Sequence, residues 1–239
     1  MLCTPPLRRT CHRRMVLLGS MQAVPNVAPP DELERSRVVA IMRRTDPKLA
    51  CETVEALLAG GMRAIEVTFN SPGAVDMLRA IAQAFGPRVL LGAGTVLQQE
   101  QAEVALRCGA RFIVSPHTDA ALVAGLARRG VPCIPGALTP TEVLDAWRAG
   151  ASVVKLFPSG SVGVAYLKDL RGPLTDIPLL PTGGVTLDNA EAFIAAGAWG
   201  LGLGSALVDP RLVSERSFDE LAERASAFVR IAARAHRAT

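Results

Sequence analysis

The stretch AIEVTFNSPGAVDMLRAIAQAFG, residues 64–86, holds one complete unit of the pattern that decides the fold. It opens with the short apolar segment "AIEVTF", turns at "NSPG" and continues as an amphipathic segment that ends at Gly86. A short apolar run, turn residues and a helical repeat, in this order, predict a β-strand that leads into an α-helix. Serine and proline before the helix and glycine after it are typical helix boundaries.

The unit recurs along the chain. Eight apolar segments, each followed by turn residues, begin 20 to 26 residues apart. They start at Val38, Ala64, Leu90, Phe112, Cys133, Val153, Leu179 and Gly200. Short crossovers of this kind produce a parallel sheet, and eight units favour closure of the sheet into a (β/α)8 TIM barrel. We therefore predict an α/β fold, with one compact barrel domain over residues 36–239 that ends in a C-terminal helix. A doubly wound open sheet is the structural alternative.

The N-terminal segment differs from the rest of the chain. Residues 1–20 contain four arginines and no acidic residue, which accounts for the whole net charge of +4. The apolar patch "MVLL" is much shorter than the apolar region of an export signal. We expect residues 1–35 to be a disordered or misassigned N-terminal extension, with the natural start at Met15 or Met21.

Composition argues against several classes of partner. From Met21 onward 22 basic residues balance 22 acidic ones, and no basic stripe is interleaved with aromatics, so we expect no nucleic-acid binding. The longest uncharged run, residues 192–208, is rich in glycine and short for a membrane span. Five scattered cysteines predict free thiols in a reducing, cytoplasmic setting. No HxH motif or spaced carboxylate cluster is present, so we predict no metal.

Lys155 lies in "VVKLFP", inside a predicted strand, in a chain with 23 arginines and only three lysines. Because an amine, unlike a guanidinium, can lose its proton and act as a nucleophile, Lys155 is a candidate catalytic residue. Glu66 occupies a similar position in "AIEVTF". A buried acid and a buried base in one barrel are expected to share a site. The alternatives are a lysine that extends to solvent at a strand end and a structural ion pair.

Polar residues also follow the other strands, where barrel enzymes build their sites. They are Arg43, Thr68, Thr95, His117, Thr139, Thr182, Gly183, Gly184 and Ser205. The last four belong to "PTGG" and "GLGS", at the ends of strands 7 and 8. Paired glycines let backbone N–H groups approach an anion closely, and these strands hold phosphate in many barrels. A phosphate site is therefore expected here, although paired glycines also make ordinary turns.

Seven motifs in this order, "AIEVTFNSPGA", "GAGTV", "FIVSPH", "IPGALTPTE", "VVKLFPSG", "LPTGGVTLDN" and "GLGSAL", resemble the 2-keto-3-deoxy-6-phosphogluconate (KDPG) and 4-hydroxy-2-oxoglutarate (KHG) aldolase family, which includes a phosphogalactonate branch. The resemblance implies a class I, Schiff-base lyase without a cofactor or metal, usually a homotrimer. Its expected reaction, a step of the Entner–Doudoroff pathway, cleaves 2-keto-3-deoxy-6-phosphogluconate to pyruvate and glyceraldehyde 3-phosphate.

The same resemblance assigns roles by position. It makes Lys155 the Schiff-base lysine and Glu66 the acid–base residue. The implied substrate-binding residues are Arg43, Thr95, Pro116, Phe157, Thr182, Gly183, Gly184 and Ser205.

One departure concerns Asn70, because an enterobacterial subgroup has a carboxylate-binding arginine at this position. "NSP" resembles the phosphogalactonate branch, whereas "LPTGG" resembles the phosphogluconate branch, so the C4 epimer stays open. The alternatives to KDPG cleavage are phosphogalactonate or 4-hydroxy-2-oxoglutarate cleavage, a phosphate-binding barrel enzyme without an imine, such as one that resembles thiamin-phosphate synthase, and a silent sugar-acid-phosphate binding protein.

Overall fold

The computed structural model describes residues 24–235, in which parallel strands alternate with helices. The strands are β1 Val38–Met42, β2 Ala64–Thr68, β3 Leu90–Gly94, β4 Phe112–Val114, β5 Cys133–Ile134, β6 Gly136–Ala137, β7 Val154–Leu156, β8 Leu179–Pro181 and β9 Leu201–Leu203. The helices are α1 Asp31–Ser36, α2 Ala50–Ala59, α3 Ala74–Phe85, α4 Gln99–Arg107, α5 Ala120–Arg128, α6 Pro140–Arg148, α7 Ser159–Arg171, α8 Leu187–Ala195, α9 Pro210–Ser214 and α10 Phe218–Ala235.

The strands form two parallel sheets. Six of them pair in the order β5-β4-β3-β2-β1-β9, and three pair in the order β6-β7-β8. Sequential strands are neighbours, and the described strands show no reversal of order of the kind that defines a doubly wound sheet. The predicted α/β fold with a parallel sheet is therefore confirmed.

The fifth predicted strand, "CIPGAL", is divided into β5 and β6 by Pro135, which has no N–H to donate to a neighbouring strand. Hydrogen bonding still joins the two sheets on this side, where the Ser152 N–H, just before β7, donates to the Cys133 carbonyl of β5 at 2.8 Å. On the other side the Trp199 N–H donates to the Leu179 carbonyl at 2.8 Å, and Thr182 forms a bridge with Gly202. The parallel sheet is consequently curled, and one of its faces lines an interior.

Alternation along the strands decides which side chains enter this interior. An apolar cluster inside the curl contains every second residue of the strands, for example Val39 and Ile41 of β1. It also contains Ala64, two residues before Glu66, and Val153, two residues before Lys155. Because residues two apart share a face, Glu66 and Lys155 both point into the interior.

Residues 24–35, the last part of the segment expected to be an N-terminal extension, contact the rest of the fold. Residues 31–36 form α1, and its Leu33 is 1% exposed and packs in the apolar cluster inside the curl. The Asn26 amide donates to the carbonyls of Trp147 and Ala151, both at 2.8 Å. One apolar side chain and one amide are enough to attach this segment, and composition alone did not reveal either contact. Residues 1–23 lie outside the described residues.

The other face of the sheet packs against the helices through a second, larger apolar cluster. Helix starts follow the capping chemistry in the sequence: α6 begins after Thr139, whose hydroxyl accepts from the Glu142 N–H at 3.3 Å, while the Glu142 carboxylate accepts from the Thr139 N–H at 2.8 Å. Across residues 24–235, none of the helices combines the length and apolar character needed to cross a bilayer.

Candidate active site

Glu66 and Lys155 are both buried inside the curl. Glu66 is the third residue of β2 and is 1% exposed, and Lys155 is the middle residue of β7 and is 2% exposed. Strand pairing places Glu66 beside Ile41 and Gly92, and Lys155 beside Gly136 and Leu180. Lys155 is therefore held within the fold, which is not the geometry of a lysine whose charge reaches solvent at a strand end.

Burial dominates the electrostatics of the pair. Loss of solvent raises the pKa of Glu66, against the opposing positive charges of Lys155 and Arg43. Burial likewise lowers the pKa of Lys155; the Glu66 carboxylate opposes this change, and the Arg43 charge adds to it. The structure consequently favours an uncharged amine, which is the nucleophilic form of lysine.

The two side chains do not form a direct ion pair. No nitrogen–oxygen contact within 4.0 Å joins Lys155 to Glu66, and the Glu66 Oε1 atom has no hydrogen-bond partner among the described residues. The Lys155 Nζ atom lies 5.1 Å from the centre of the Phe157 ring. In a structural ion pair the amine and the carboxylate would be expected to be in direct contact. Here they are not, so a polar atom of each residue is available to a third molecule.

Gly94, at the end of β3, makes room for the Glu66 side chain. A Cβ atom at position 94 would lie 1.8 Å from the Glu66 Oε1 atom and 2.5 Å from its Cγ atom. These separations are far below any van der Waals contact, so the carboxylate can occupy its position only because residue 94 is glycine. The glycine of "GAGT" is thus part of the site, although the sequence analysis singled out only Thr95.

We expect Gly94→Ala to displace the Glu66 carboxylate. The kcat of the expected aldol cleavage should fall about 100-fold, the loss that follows a displacement of about 1 Å in an active site. Overpacking should also reduce the free energy of unfolding by about 1–3 kcal/mol. Steady-state kinetics and urea denaturation measure both effects. The control is Gly125→Ala in α5, where the nearest atom to a new Cβ lies 3.6 Å away. A Gly94→Ala protein with wild-type kcat would contradict the proposed position of Glu66.

A cavity of about 710 Å³ opens beside this pair, at the carboxyl ends of β1, β8 and β9. It brings together six of the predicted substrate-binding residues: Arg43, Phe157, Thr182, Gly183, Gly184 and Ser205. Phe157 lines the cavity and also lies beside the Lys155 amine, so its ring connects the cavity to the buried pair.

The glycine loop of this cavity presents unused backbone donors. Gly183 and Gly184 have φ angles of 79° and 80°, a left-handed conformation that glycine adopts without strain. Among the described residues, none accepts a hydrogen bond from the N–H groups of Gly184 or Ser205. The loop is fixed from behind, because the Gly160 N–H of α7 donates to the Gly183 carbonyl at 2.7 Å. Two unpaired N–H groups beside a glycine turn at one end of a cavity are suited to an anion.

The remaining predicted residues are placed differently. Thr95 and Pro116 follow β3 and β4 at the same end of the sheet and are half-buried, but neither lines the 710 Å³ cavity. Thr95 has a φ angle of 55°, which is unfavourable for a β-branched residue and is found mainly at functional sites.

Within residues 24–235, no cluster of three or more His, Cys, Asp or Glu side chains has the arrangement of a metal site.

Arg44 and Asn70 are among the cavity residues that carry no role in the sequence-based prediction. Both line the cavity together with Arg43. Asn70 attracted attention only as a departure from a family pattern. Arg44 follows Arg43 directly, and two consecutive arginines at a strand end were a signal that the sequence offered.

A buried amine and a buried carboxylic acid beside an anion-binding loop, on a curled parallel sheet, define a class of α/β enzymes that act through a lysine. A family model described as KDPG and KHG aldolase matches residues 30–223. The chain therefore belongs to the KDPG and KHG aldolase family, whose members are carbon–carbon lyases, and the resemblance found in the sequence is confirmed.

Individual relatives agree with this assignment. The chain is 37% identical to the 2-dehydro-3-deoxy-6-phosphogalactonate aldolase of Escherichia coli K12, over 81% of this chain and 93% of that protein. It is 41% identical to the 2-dehydro-3-deoxy-phosphogluconate aldolase of Treponema pallidum, over 69% of this chain and 79% of the relative. A crystal structure of the KDPG aldolase of Legionella pneumophila, with pyruvate captured at low pH as a covalent carbinolamine, matches with a TM-score of 0.77 and 28% identity, over 82% of this chain and 96% of the other.

Proposed function

We propose that this protein is a class I aldolase that cleaves 2-keto-3-deoxy-6-phosphogluconate to pyruvate and glyceraldehyde 3-phosphate. The observation that carries the proposal is the arrangement of Lys155 and Glu66, which are buried in one interior, influence each other's pKa and yet make no ion pair. Family membership supports the Schiff-base chemistry, as does the carbinolamine captured in the Legionella relative.

The first half of the mechanism uses the uncharged amine of Lys155. Its Nζ atom attacks the C2 carbonyl of the substrate, and Glu66 delivers and removes the protons that convert the carbinolamine to an iminium with loss of water. The iminium then draws electrons from the neighbouring bonds. Burial favours both reactants of this step, because it lowers the pKa of Lys155, toward the neutral amine, and raises the pKa of Glu66, toward the protonated acid.

The second half breaks the C3–C4 bond. Glu66, directly or through a water molecule, takes the proton of the C4 hydroxyl; the C4–O bond becomes a carbonyl and the electrons of the C3–C4 bond move to the iminium nitrogen. Glyceraldehyde 3-phosphate leaves, and an enamine of pyruvate stays on Lys155. A proton added at C3 regenerates an iminium, which water hydrolyses to pyruvate and free lysine.

The cavity provides orientation for this chemistry. We assign the substrate phosphate to the loop of Gly183, Gly184 and Ser205, where the N–H groups of Gly184 and Ser205 are free, and the C1 carboxylate to Arg43, whose charge acts on both Glu66 and Lys155. Thr95 and Pro116 are assigned to the pyruvate end and Phe157 to the wall beside the imine, while Thr182 joins the phosphate end to the interior. Contacts far from the breaking bond hold the reacting atoms in line.

Both C4 epimers are represented among the relatives, so their comparison tests the proposal. Pyruvate release from the gluconate and galactonate epimers, coupled to lactate dehydrogenase, should show a higher kcat/KM for the gluconate epimer. A higher kcat/KM for the galactonate epimer, or for 4-hydroxy-2-oxoglutarate, would mean that this compound, and not KDPG, is the substrate. No pyruvate from any of them, combined with a thermal shift on addition of KDPG, would replace the aldolase by a binding protein.

We propose, further, that residues 36–239 form one closed (β/α)8 barrel and that the enzyme is a cytoplasmic homotrimer. The hydrogen bonds that cross between the two sheets on both sides support closure. Cys51, Cys108 and Cys133 are free thiols, in agreement with a reducing compartment. The trimer follows from the family resemblance, and a mass of three chains in native mass spectrometry would support it. A monomer at working concentration would contradict it.

A further inference from the structure

Arg44, the second arginine after β1, has a backbone conformation that is unusual for its residue type. Its φ angle is 55°, in the left-handed region that glycine occupies freely and that a side chain makes unfavourable. Such a conformation persists where the surrounding structure fixes it, and it is concentrated at functional sites. Here the Arg44 N–H donates to the Ser71 hydroxyl oxygen at 2.8 Å.

Two buried hydroxyl groups hold this turn. The Ser71 Oγ and Thr68 Oγ1 atoms are 2.9 Å apart, and the Thr68 hydroxyl donates to the Met42 carbonyl at 3.4 Å. Ser71 is 5% exposed and Thr68 is fully buried, so the end of β2 fixes the end of β1 from inside the protein. Glycine at position 44 could donate the same hydrogen bond from its N–H to the Ser71 hydroxyl without backbone strain. The backbone therefore does not explain why residue 44 is an arginine, and the explanation must lie in its side chain.

The Arg44 side chain lines the 710 Å³ cavity together with Asn70 and the Gly183–Gly184 loop. Arg43 and Arg44 are the two charged residues of its lining. Within the described part of the chain, neither arginine forms an ion pair with another residue. The N–H groups of the glycine loop carry no net charge, so a dianionic phosphate bound to them alone would lack a cation.

The two arginines differ in their electrostatic effect on the buried pair. The charge of Arg43 is felt by both Glu66 and Lys155, which places it near the buried pair. No such influence on the pair comes from Arg44. A guanidinium that lines the same cavity as the glycine loop can bind phosphate through two N–H groups.

We propose that Arg44 is a specificity-determining residue whose guanidinium binds the terminal phosphate of the substrate, with Ser71 as the residue that positions it. This inference rests on the proposed aldolase function and deepens it: Arg44 selects 6-phosphorylated over unphosphorylated 2-keto-3-deoxy acids. Arg43, by contrast, serves the carboxylate that all these substrates share.

The main test is Arg44→Gly, which removes the cation and relieves the backbone. KM for KDPG should rise about 10- to 100-fold, the effect of losing a hydrogen bond to a charged group, with a much smaller change in kcat. KM for unphosphorylated 2-keto-3-deoxygluconate should change far less. Because glycine suits this backbone, Tm should not fall. An equal rise in KM for both substrates, or a lowered Tm, would overturn the proposal.

Two matched variants complete the test. Arg43→Ala should raise KM for both substrates and weaken the capture of pyruvate, which has a carboxylate and no phosphate. Arg79→Ala, at an exposed arginine of α3 that pairs with Asp76, should change neither constant. If Arg79→Ala reproduced the effect of Arg44→Gly, net charge alone would explain the effect and the proposal would fail.

Inorganic phosphate separates this inference from the proposed function. Its dissociation constant, measured by calorimetry on the full chain, should rise about tenfold in Arg44→Gly even if the protein cleaves no aldol substrate. Unchanged phosphate affinity would overturn the assignment of Arg44, whereas a wild-type protein that releases no pyruvate would overturn the aldolase proposal instead.

The positioning role of Ser71 has its own readout. Ser71→Ala should raise KM for KDPG several-fold and leave kcat close to wild type, and it should add little to Arg44→Gly in the double variant, because both changes remove one interaction. Ser71→Thr, which keeps the hydroxyl, should restore KM. Full additivity of the two changes would contradict a shared role.

Discussion

Lys155→Arg should abolish pyruvate release, with kcat lowered by at least about 10⁴-fold, the size of loss that follows removal of a catalytic nucleophile. The substitution keeps the positive charge, but a guanidinium does not lose its proton and forms no imine. Lys155 is 2% exposed, in surroundings that lower its pKa. A purely electrostatic role would need the charged amine, which these surroundings disfavour. The coupled lactate dehydrogenase assay measures the loss.

A larger side chain in a buried site can destabilise the fold, so a second variant is needed. Lys155→Met has a similar volume and no charge, and it should be inactive with a Tm equal to or above that of the wild type. The matched control is Lys168→Arg, at an exposed lysine of α7, which should keep full activity. Activity retained in Lys155→Arg would show that the charge of Lys155, and not its nucleophilicity, matters.

Glu66→Gln should lower kcat by about 10²- to 10⁴-fold, the usual contribution of general acid–base catalysis. Because Glu66 and Lys155 form no ion pair, the neutral side chain should change the free energy of unfolding by less than about 1 kcal/mol, or about 2–4 °C in Tm. Loss of one partner of a buried ion pair would instead cost about 3–5 kcal/mol. A Tm lower by roughly 10 °C would therefore restore the structural ion pair as the better interpretation.

The same variant has a pH signature whose sign is fixed by the electrostatics. Imine formation requires neutral Lys155, so its rate rises with pH through the pKa of that amine. The Glu66 carboxylate raises the pKa of Lys155 against the effect of burial. Without this carboxylate the pKa should fall further, and the acid limb of pyruvate capture should move to lower pH. A move to higher pH would contradict the electrostatic coupling of the pair.

Most of the fold was predictable because each strand contains its own periodic signal. All eight predicted strand positions correspond to strands of the structure, and "TPTE" predicted the capped start of α6. The exceptions have local causes. Pro135 divides one strand, and Gly160 and Gly163 interrupt the helical pattern of α7. Gly163 has a φ angle of 77° within α7, and Gly160 lies against Gly184, where a side chain would not fit.

The buried pair was predictable for the same reason, since alternation places Glu66 and Lys155 on the interior faces of their strands. The contributions of Gly94 and Arg44 were not. The role of Gly94 depends on a missing Cβ atom, which would lie 1.8 Å from the Glu66 Oε1 atom. The role of Arg44 depends on a left-handed φ angle and on a contact with the Ser71 hydroxyl, just after β2. Sequence periodicity specifies which face a residue occupies, whereas such contacts depend on how separate segments meet.

Reduction with borohydride in the presence of pyruvate tests the central claim most directly. An imine on Lys155 is reduced to a stable secondary amine, which trypsin does not cleave, so digestion should give residues 149–168 as one peptide heavier by one reduced pyruvyl group. Lys48 and Lys168 should stay unmodified, and Lys155→Met should show no adduct. If the wild-type protein were cleaved normally after Lys155 and showed no added mass, Lys155 would not be the Schiff-base residue.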